Sequence, residues 1–279
     1  MRGKWPEAEV LPSDEVHPFT FNGVRSLIGA ASILVYILIS RKIAGDKAAP
    51  LDWKLNVKAG LLCGIFLTIA STLQQFGIKY TSVGKAGFIT TLYIIFVPMF
   101  GIFLKKKVAP VVWAAAVMAA VGMYLLCMTE SLRLGAGDIM VFLCAIAFAI
   151  QIMTVDHYAA RIDGAVVSCI QFTVCGVVCC IGALIWGQPT FGQLQEGLGA
   201  LLYAGVLSCG VGYTLQIVGQ KGLNPTVAAL IMSLESVISA LAGWVILGQV
   251  LSPKEILGCV LMFVAIIITQ IPIGNKKTD

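Results

Sequence analysis

Six residues could do chemistry inside otherwise apolar sequence: Glu235, Arg25, Gln74, Gln216, Tyr93 and Tyr213. Glu235 lies near the middle of the apolar stretch 225–247, with Ser233, Ser236 and Ser239 close by. If that stretch crosses a bilayer, an ionised side chain at its centre costs roughly 2.5–3.5 kcal/mol, so it faces a cavity or a partner. A carboxyl there can hold a proton, an amine or an arginine, or make a structural hydrogen bond to a neighbouring helix. Arg25 lies about two turns into the stretch 19–40. Its guanidinium can take a carboxylate in a bidentate contact or snorkel to headgroups. Gln74, Gln75, Gln216, Gln151 and Gln171 are amides that line a polar cavity or tie helices together, at roughly 0.6–2 kcal/mol each. Tyr93 and Tyr213, with Pro98 as a kink, suit a cavity wall or a packed aromatic contact.

Sharper motifs are absent. Gly77 through Gly84-Lys85-Ala86 has six residues between its glycines, and Ala86 stands where a phosphate loop needs Ser or Thr. His17 and His157 fall in different segments, so neither a metal cluster nor a histidine-based triad is expected. Nine cysteines all lie in apolar runs, where a thiol behaves as a small hydrophobe. The sequence calls for no cofactor.

The elements that hold these residues follow from composition. Of 279 residues, 58% are hydrophobic and only 12% charged, with a mean hydropathy of +0.92. Soluble domains carry about 25% charge. Secreted, disordered and nucleic-acid-binding classes are excluded on that ground. Charge sits between apolar runs of the length that a helix needs to cross a bilayer. Nine spans are predicted, at 19–40, 57–78, 86–104, 110–128, 138–157, 164–186, 196–218, 225–247 and 255–273. The protein is expected to be all-α and integral to a membrane, with connectors too short for a soluble domain. Loops on one side hold twelve Lys or Arg, including Lys105-Lys106-Lys107, Lys276 and Lys277; the other side holds Lys79, Lys85, Arg133 and Lys254. The positive-inside rule puts the carboxyl terminus in the cytoplasm.

An internal repeat organises the spans. Thr72-Leu73-Gln74 and Thr214-Leu215-Gln216 recur at an offset of 142 residues. At the same offset Gly77, Lys79, Ala86, Ile89, Leu92, Gly101 and Val108 meet Gly219, Lys221, Ala228, Ile231, Leu234, Gly243 and Val250. Copies separated by five crossings point in opposite directions, a hallmark of secondary transporters. The span at 138–157 has no counterpart, since its partner would start before residue 1.

With this repeat, the sequence resembles the drug/metabolite transporter superfamily, in particular its EamA-like members. The resemblance rests on Pro18-Phe19-Thr20-Phe21-Asn22-Gly23-Val24-Arg25, on Gly87 through Pro98, on Leu234-Glu235-Ser236-Val237 and on Leu247-Gly248-Gln249. Gln249 and Ser236 stand where that family usually has Glu and Pro. The resemblance implies a ten-helix fold of two inverted repeats around a central substrate cavity, here without its first helix. The expected divisions are a polar tail at 1–18, a first repeat at 19–128, a second at 129–273 and a cytoplasmic tail at 274–279.

The expected function is secondary active transport of a small metabolite or amino-acid-like compound across the cytoplasmic membrane. Outward direction follows from the resemblance alone. Glu235 is the expected coupling-ion or cation site and Arg25 the anion site, with a proton or another ion as the coupling species. Partners are the small-molecule substrate and the lipid bilayer, and no nucleic acid; oligomeric state is left open. The alternative is a shortened, non-transporting paralogue acting as a partner subunit. An intramembrane enzyme is disfavoured by the scarcity of His and of paired acids.

Overall fold

Inside a bilayer each backbone N–H and C=O must be paired within the chain, which leaves helix as the form open to these apolar runs. The computed structural model describes residues 16–45, 51–105, 108–127, 135–187, 191–247 and 251–270, and these are helical with no strand among them. The tail as far as Glu15, Lys106, Lys107, Arg133, Gln249 and residues 274–279 lie outside the described residues. The helices are α1 (Pro18–Ala44), α2 (Trp53–Ile78), α3 (Val83–Thr91), α4 (Tyr93–Phe103), α5 (Pro110–Cys127) and α6 (Ala136–Tyr158). They continue with α7 (Gly164–Gly182), α8 (Phe191–Glu196), α9 (Leu198–Leu202), α10 (Tyr213–Gly219), α11 (Pro225–Leu247) and α12 (Pro253–Gln270). Wider π turns extend α7 over Ala183–Gly187 and join α9 to α10 over Tyr203–Gly212.

Eight stretches are long and apolar enough to cross a membrane among the described residues. They are α1, α2, α3 with α4, α5, α6, α7 with its extension, the Leu198–Gly219 span and most of α11. The remaining expected crossing corresponds to α12, 18 residues long, which packs along α5.

Helix starts have local causes. Pro18 occupies the first turn of α1, where its missing N–H costs nothing, and His17 Nδ1 accepts from the Phe19 N–H at 3.4 Å. Asp52 Oδ1 accepts from Leu55 N–H at 3.1 Å, and Asp163 Oδ1 from Ala165 N–H at 3.0 Å and Val166 N–H at 3.2 Å. The predicted span 86–104 is interrupted at Leu92, whose carbonyl accepts from Ile95 and Phe96 as α4 restarts. Pro98 lies inside α4 and can give no hydrogen bond to Ile94, so the helix is weakest just ahead of that point.

The halves pair like with like. α1 packs on its repeat counterpart α7, and α5 on its counterpart α12. The second pair touches through backbone: a Cβ at Gly122 would lie 2.8 Å from the Gly258 carbonyl oxygen, and one at Gly258 2.6 Å from that of Gly122. Small residues let membrane helices approach this closely, where dispersion replaces a missing hydrophobic drive. Gly60 and Gly64 of α2 meet Ile170 and Val174 of α7 in the same way, as their four-residue spacing suggests.

One polar tie departs from expectation. Lys85, assigned to a loop cation by its position, is buried against Asp138 of α6. Thr81 Oγ1 donates to Asp138 Oδ1 at 2.6 Å, and the Gly135 N–H to Oδ2 at 2.7 Å. With its neighbours supplied, this carboxylate pins the start of α6 to the turn between α2 and α3.

A central cavity as candidate functional site

The side chains singled out by the sequence come from several elements, and each is held there by its own packing. Arg25 is carried by α1, which is pressed against the π segment through glycines. A Cβ at Gly29 would lie 2.6 Å from Cys209 Cβ, and one at Gly205 2.9 Å from the Arg25 carbonyl oxygen. Gln74 follows from the tight seating of α2 between α6 and α7. Tyr93 is the first residue of α4, so the break at Leu92 sets its direction. Tyr213 and Gln216 lie on α10, just after the π turns, whose last bond runs from Tyr213 N–H to the Ser208 carbonyl. Glu235 is carried by the middle of α11, which is unbroken there.

All six line one cavity of about 750 Å³ at the middle of the helix bundle. Thr90, Gln151, Tyr203 and Ser208 add polar groups, while Phe148, Ile152, Leu207, Leu215 and Met232 supply apolar wall. A cavity of this volume, with apolar walls and a few convergent polar groups, has the form of a small-molecule site. Arg25 and Glu235 give it one cation and one anion. Among the described residues neither forms a salt bridge. The Arg25 guanidinium lies over the Phe21 ring at 5.4 Å, and its Nε is buried without a hydrogen-bond partner. Glu235 is exposed to the cavity.

The remaining groups divide between wall and glue. Gln74 Nε2 donates to Thr90 Oγ1 at 3.4 Å, and the Tyr213 ring stands edge-on to Phe172 at 5.3 Å. Gln151 and Gln171, amides that suit the tying of helices, do share a hydrogen bond of 3.4 Å. Yet both are fully buried, Gln151 borders the cavity, and its Oε1 has no partner. Thr90, Tyr203 and Ser208 join the site without a sign in the sequence. Thr90 lies next to Thr91 in a helix where hydroxyls usually bond their own backbone, as Thr91 does to Gly87 at 2.8 Å. Nothing in the sequence separates the two. Among the described residues no group of three His, Cys, Asp or Glu could hold a metal ion.

A helical membrane bundle around a central cavity with ionisable groups has the form of a membrane transport protein. The chain matches the EamA-like transporter family over residues 6–128 and again over 135–271, and belongs to that family. An uncharacterized transporter from Archaeoglobus fulgidus is 26% identical over 92% of this chain and 78% of its own length. The uncharacterized transporter YwfM from Bacillus subtilis is 26% identical over 97% of this chain and 90% of its own. A crystal structure with 17% sequence identity superposes with a TM-score of 0.74, covering 94% of this chain and 91% of that one, which shows the shared fold.

Proposed function

We propose that the chain is a secondary active transporter, exporting a small zwitterionic or amino-acid-like metabolite across the cytoplasmic membrane. The observation that carries this reading is the meeting of Arg25 and Glu235, both without salt bridges, in one central cavity. Carrying two bare charges into a bilayer is expensive, and a substrate with a carboxylate and an amine returns that cost on binding. Alternating access has the two repeats rocking about the cavity, with α4 and α11 crossing beside it. Glu235 is the proton or cation coupling group, because its carboxyl can be charged or neutral where Arg25 stays charged. The short carboxyl-terminal tail lies in the cytoplasm.

The test is a comparison of metabolites in medium and cytosol for cells expressing the native chain or Glu235→Gln, matched for membrane abundance. The proposal expects one compound class to leave the cell faster with the native chain and at the background rate with the variant. Equal export by both makes Glu235 structural and removes it from the mechanism. Absence of export by the native chain, in cells and in proteoliposomes loaded with amino acids, removes the transport reading.

A further inference from the structure

α1 and the π segment are pressed together as far as Gly210, where a Cβ would lie 2.6 Å from Ser32 Oγ. Further along, α10 leans on α7, and a Cβ at Gly164 would lie 2.8 Å from Val218 Cγ2. Between α1, α7 and α10 this leaves a groove of about 680 Å³ on the flank of the bundle, apart from the central cavity. Its apolar walls face outward: Tyr36 is 59% exposed, Leu215 63% and Val218 53%. One end of the groove is charged. Arg41 and Asp163 stand there with Ser40. Asp163 Oδ1 is engaged by the N–H groups of Ala165 and Val166, while Oδ2 lies 3.8 Å from Arg41 Nη2. Both side chains are more than a third exposed, and an exposed pair at that separation contributes little, so it can open for a ligand. From Ser32 to Arg41 the helix rises about 13–14 Å, close to the roughly 15 Å of one hydrocarbon leaflet.

The repeat shows that this end is built differently from its copy. At the offset of 142, Val218, Ala44 and Ser40 correspond to Phe76, Trp186 and Gly182. In that other place aromatic rings fill the space: Phe19 meets Phe76 edge-on at 5.3 Å and Trp186 face-on at 5.7 Å, and a Cβ at Gly182 would lie 3.0 Å from the Phe19 ring. The copies of the charged pair there are Ala183 and Phe21, so one end has rings and no charge, the other charge and no rings. We infer that the groove is a binding site for an aminophospholipid of the phosphatidylethanolamine type. One acyl chain lies along Ile37, Val211 and Leu215, the phosphate meets Arg41, and the ammonium meets Asp163 Oδ2. Charge complementarity selects this headgroup. An anionic lipid would bring no cation to the Asp163 carboxylate, and a choline headgroup has no N–H to donate to it. Leu215 also borders the central cavity, so the bound chain lies against the back of one of its walls.

The test uses the full chain in detergent, given dioleoyl phosphatidylethanolamine, phosphatidylglycerol or phosphatidylcholine at equal concentration, with retained lipid read by native mass spectrometry. The native chain should retain phosphatidylethanolamine most. Arg41→Gln should weaken that retention about tenfold, the loss of one hydrogen bond between charged groups. Asp163→Asn keeps a capping side chain on α7 and should remove the preference over phosphatidylglycerol. Ala44→Trp with Val218→Phe sets the ring types of the other end into the groove and should lower retention of all three lipids. Equal retention of the three lipids by the native chain would make the groove ordinary lipid-facing surface and overturn the inference. Retention unchanged by both charge variants, or by the ring-bearing variant in its folded form, would overturn it too. Should the ring-bearing variant fail to fold, the two charge variants, altered at partly exposed positions, still decide.

Discussion

Arg25 and Glu235 owe their interest to opposite kinds of exposure within one cavity. The guanidinium has a buried, unpartnered Nε beside an aromatic ring, whereas the carboxylate opens to the void. Arg25→Lys keeps the charge and loses the planar fork, so it is not a conservative change here. A hydrogen bond to a charged group contributes about 1.5–3 kcal/mol, and its loss should weaken apparent substrate affinity roughly 10–100-fold. Proteoliposome uptake as a function of substrate concentration reads this directly. At the mouth of α1, burial first and the Lys79 charge second hold the His17 imidazole below its usual pKa. A lowered folded-state value means that stability is complete above about pH 6.5 and declines as the pH falls through the folded value. Protonation also removes the Nδ1 acceptor from Phe19 N–H. Thermal unfolding at pH 7.5 and pH 5 should therefore show a loss in the native protein that His17→Gln does not share.

Elements set how accurately those residues meet. The π turns at Tyr203–Gly212 lie against α1 through Gly29, Gly205 and Gly210, with a Cβ at Gly210 placed 2.6 Å from Ser32 Oγ. Gly29→Ala would overpack this seam by about 1–3 kcal/mol. The expected result is a folded protein with lowered melting temperature and transport impaired more than its abundance, because Arg25 shifts with α1. Melting curves beside flux at matched abundance would check this. The positions of the spans were legible in the sequence, since length and lack of charge are enough to mark a crossing. The break at Leu92 and the π winding were not. Both leave the apolar pattern intact and depend on backbone bonding, for which Pro98 and the glycines were the available signs. Lys85 escapes a sequence reading for a related reason: its partner Asp138 is distant in sequence, and nothing local distinguishes a buried lysine from a loop lysine.

For the whole molecule, the offset of 142 was the most informative signal, because it identifies α1 with α7 and α5 with α12, pairs that the structure then packs against each other. It also explains why Gln74 and Gln216, distant in sequence, border one void. What it could not supply was the difference between the halves, which depends on which helix covers which face. The proposed orientation rests on loop charge, and it expects a reporter fused after Asp279 to be active only if it is of the kind that works in the cytoplasm. The opposite result would invert every assignment of inner and outer ends.

The clasp of Lys85 on Asp138 bears on how this protein can vary. Removing one member of a buried ion pair leaves a stranded charge, a loss of about 3–5 kcal/mol, whereas replacing both together by apolar residues is nearly neutral. Natural drift at these two sites should therefore be concerted: lineages keep the lysine and the aspartate or lose both. Chains with only one of them should be rare, and Lys85→Leu combined with Asp138→Leu should recover part of what either single change destroys, the shortfall being the Thr81 hydroxyl and the Gly135 N–H left without their acceptor.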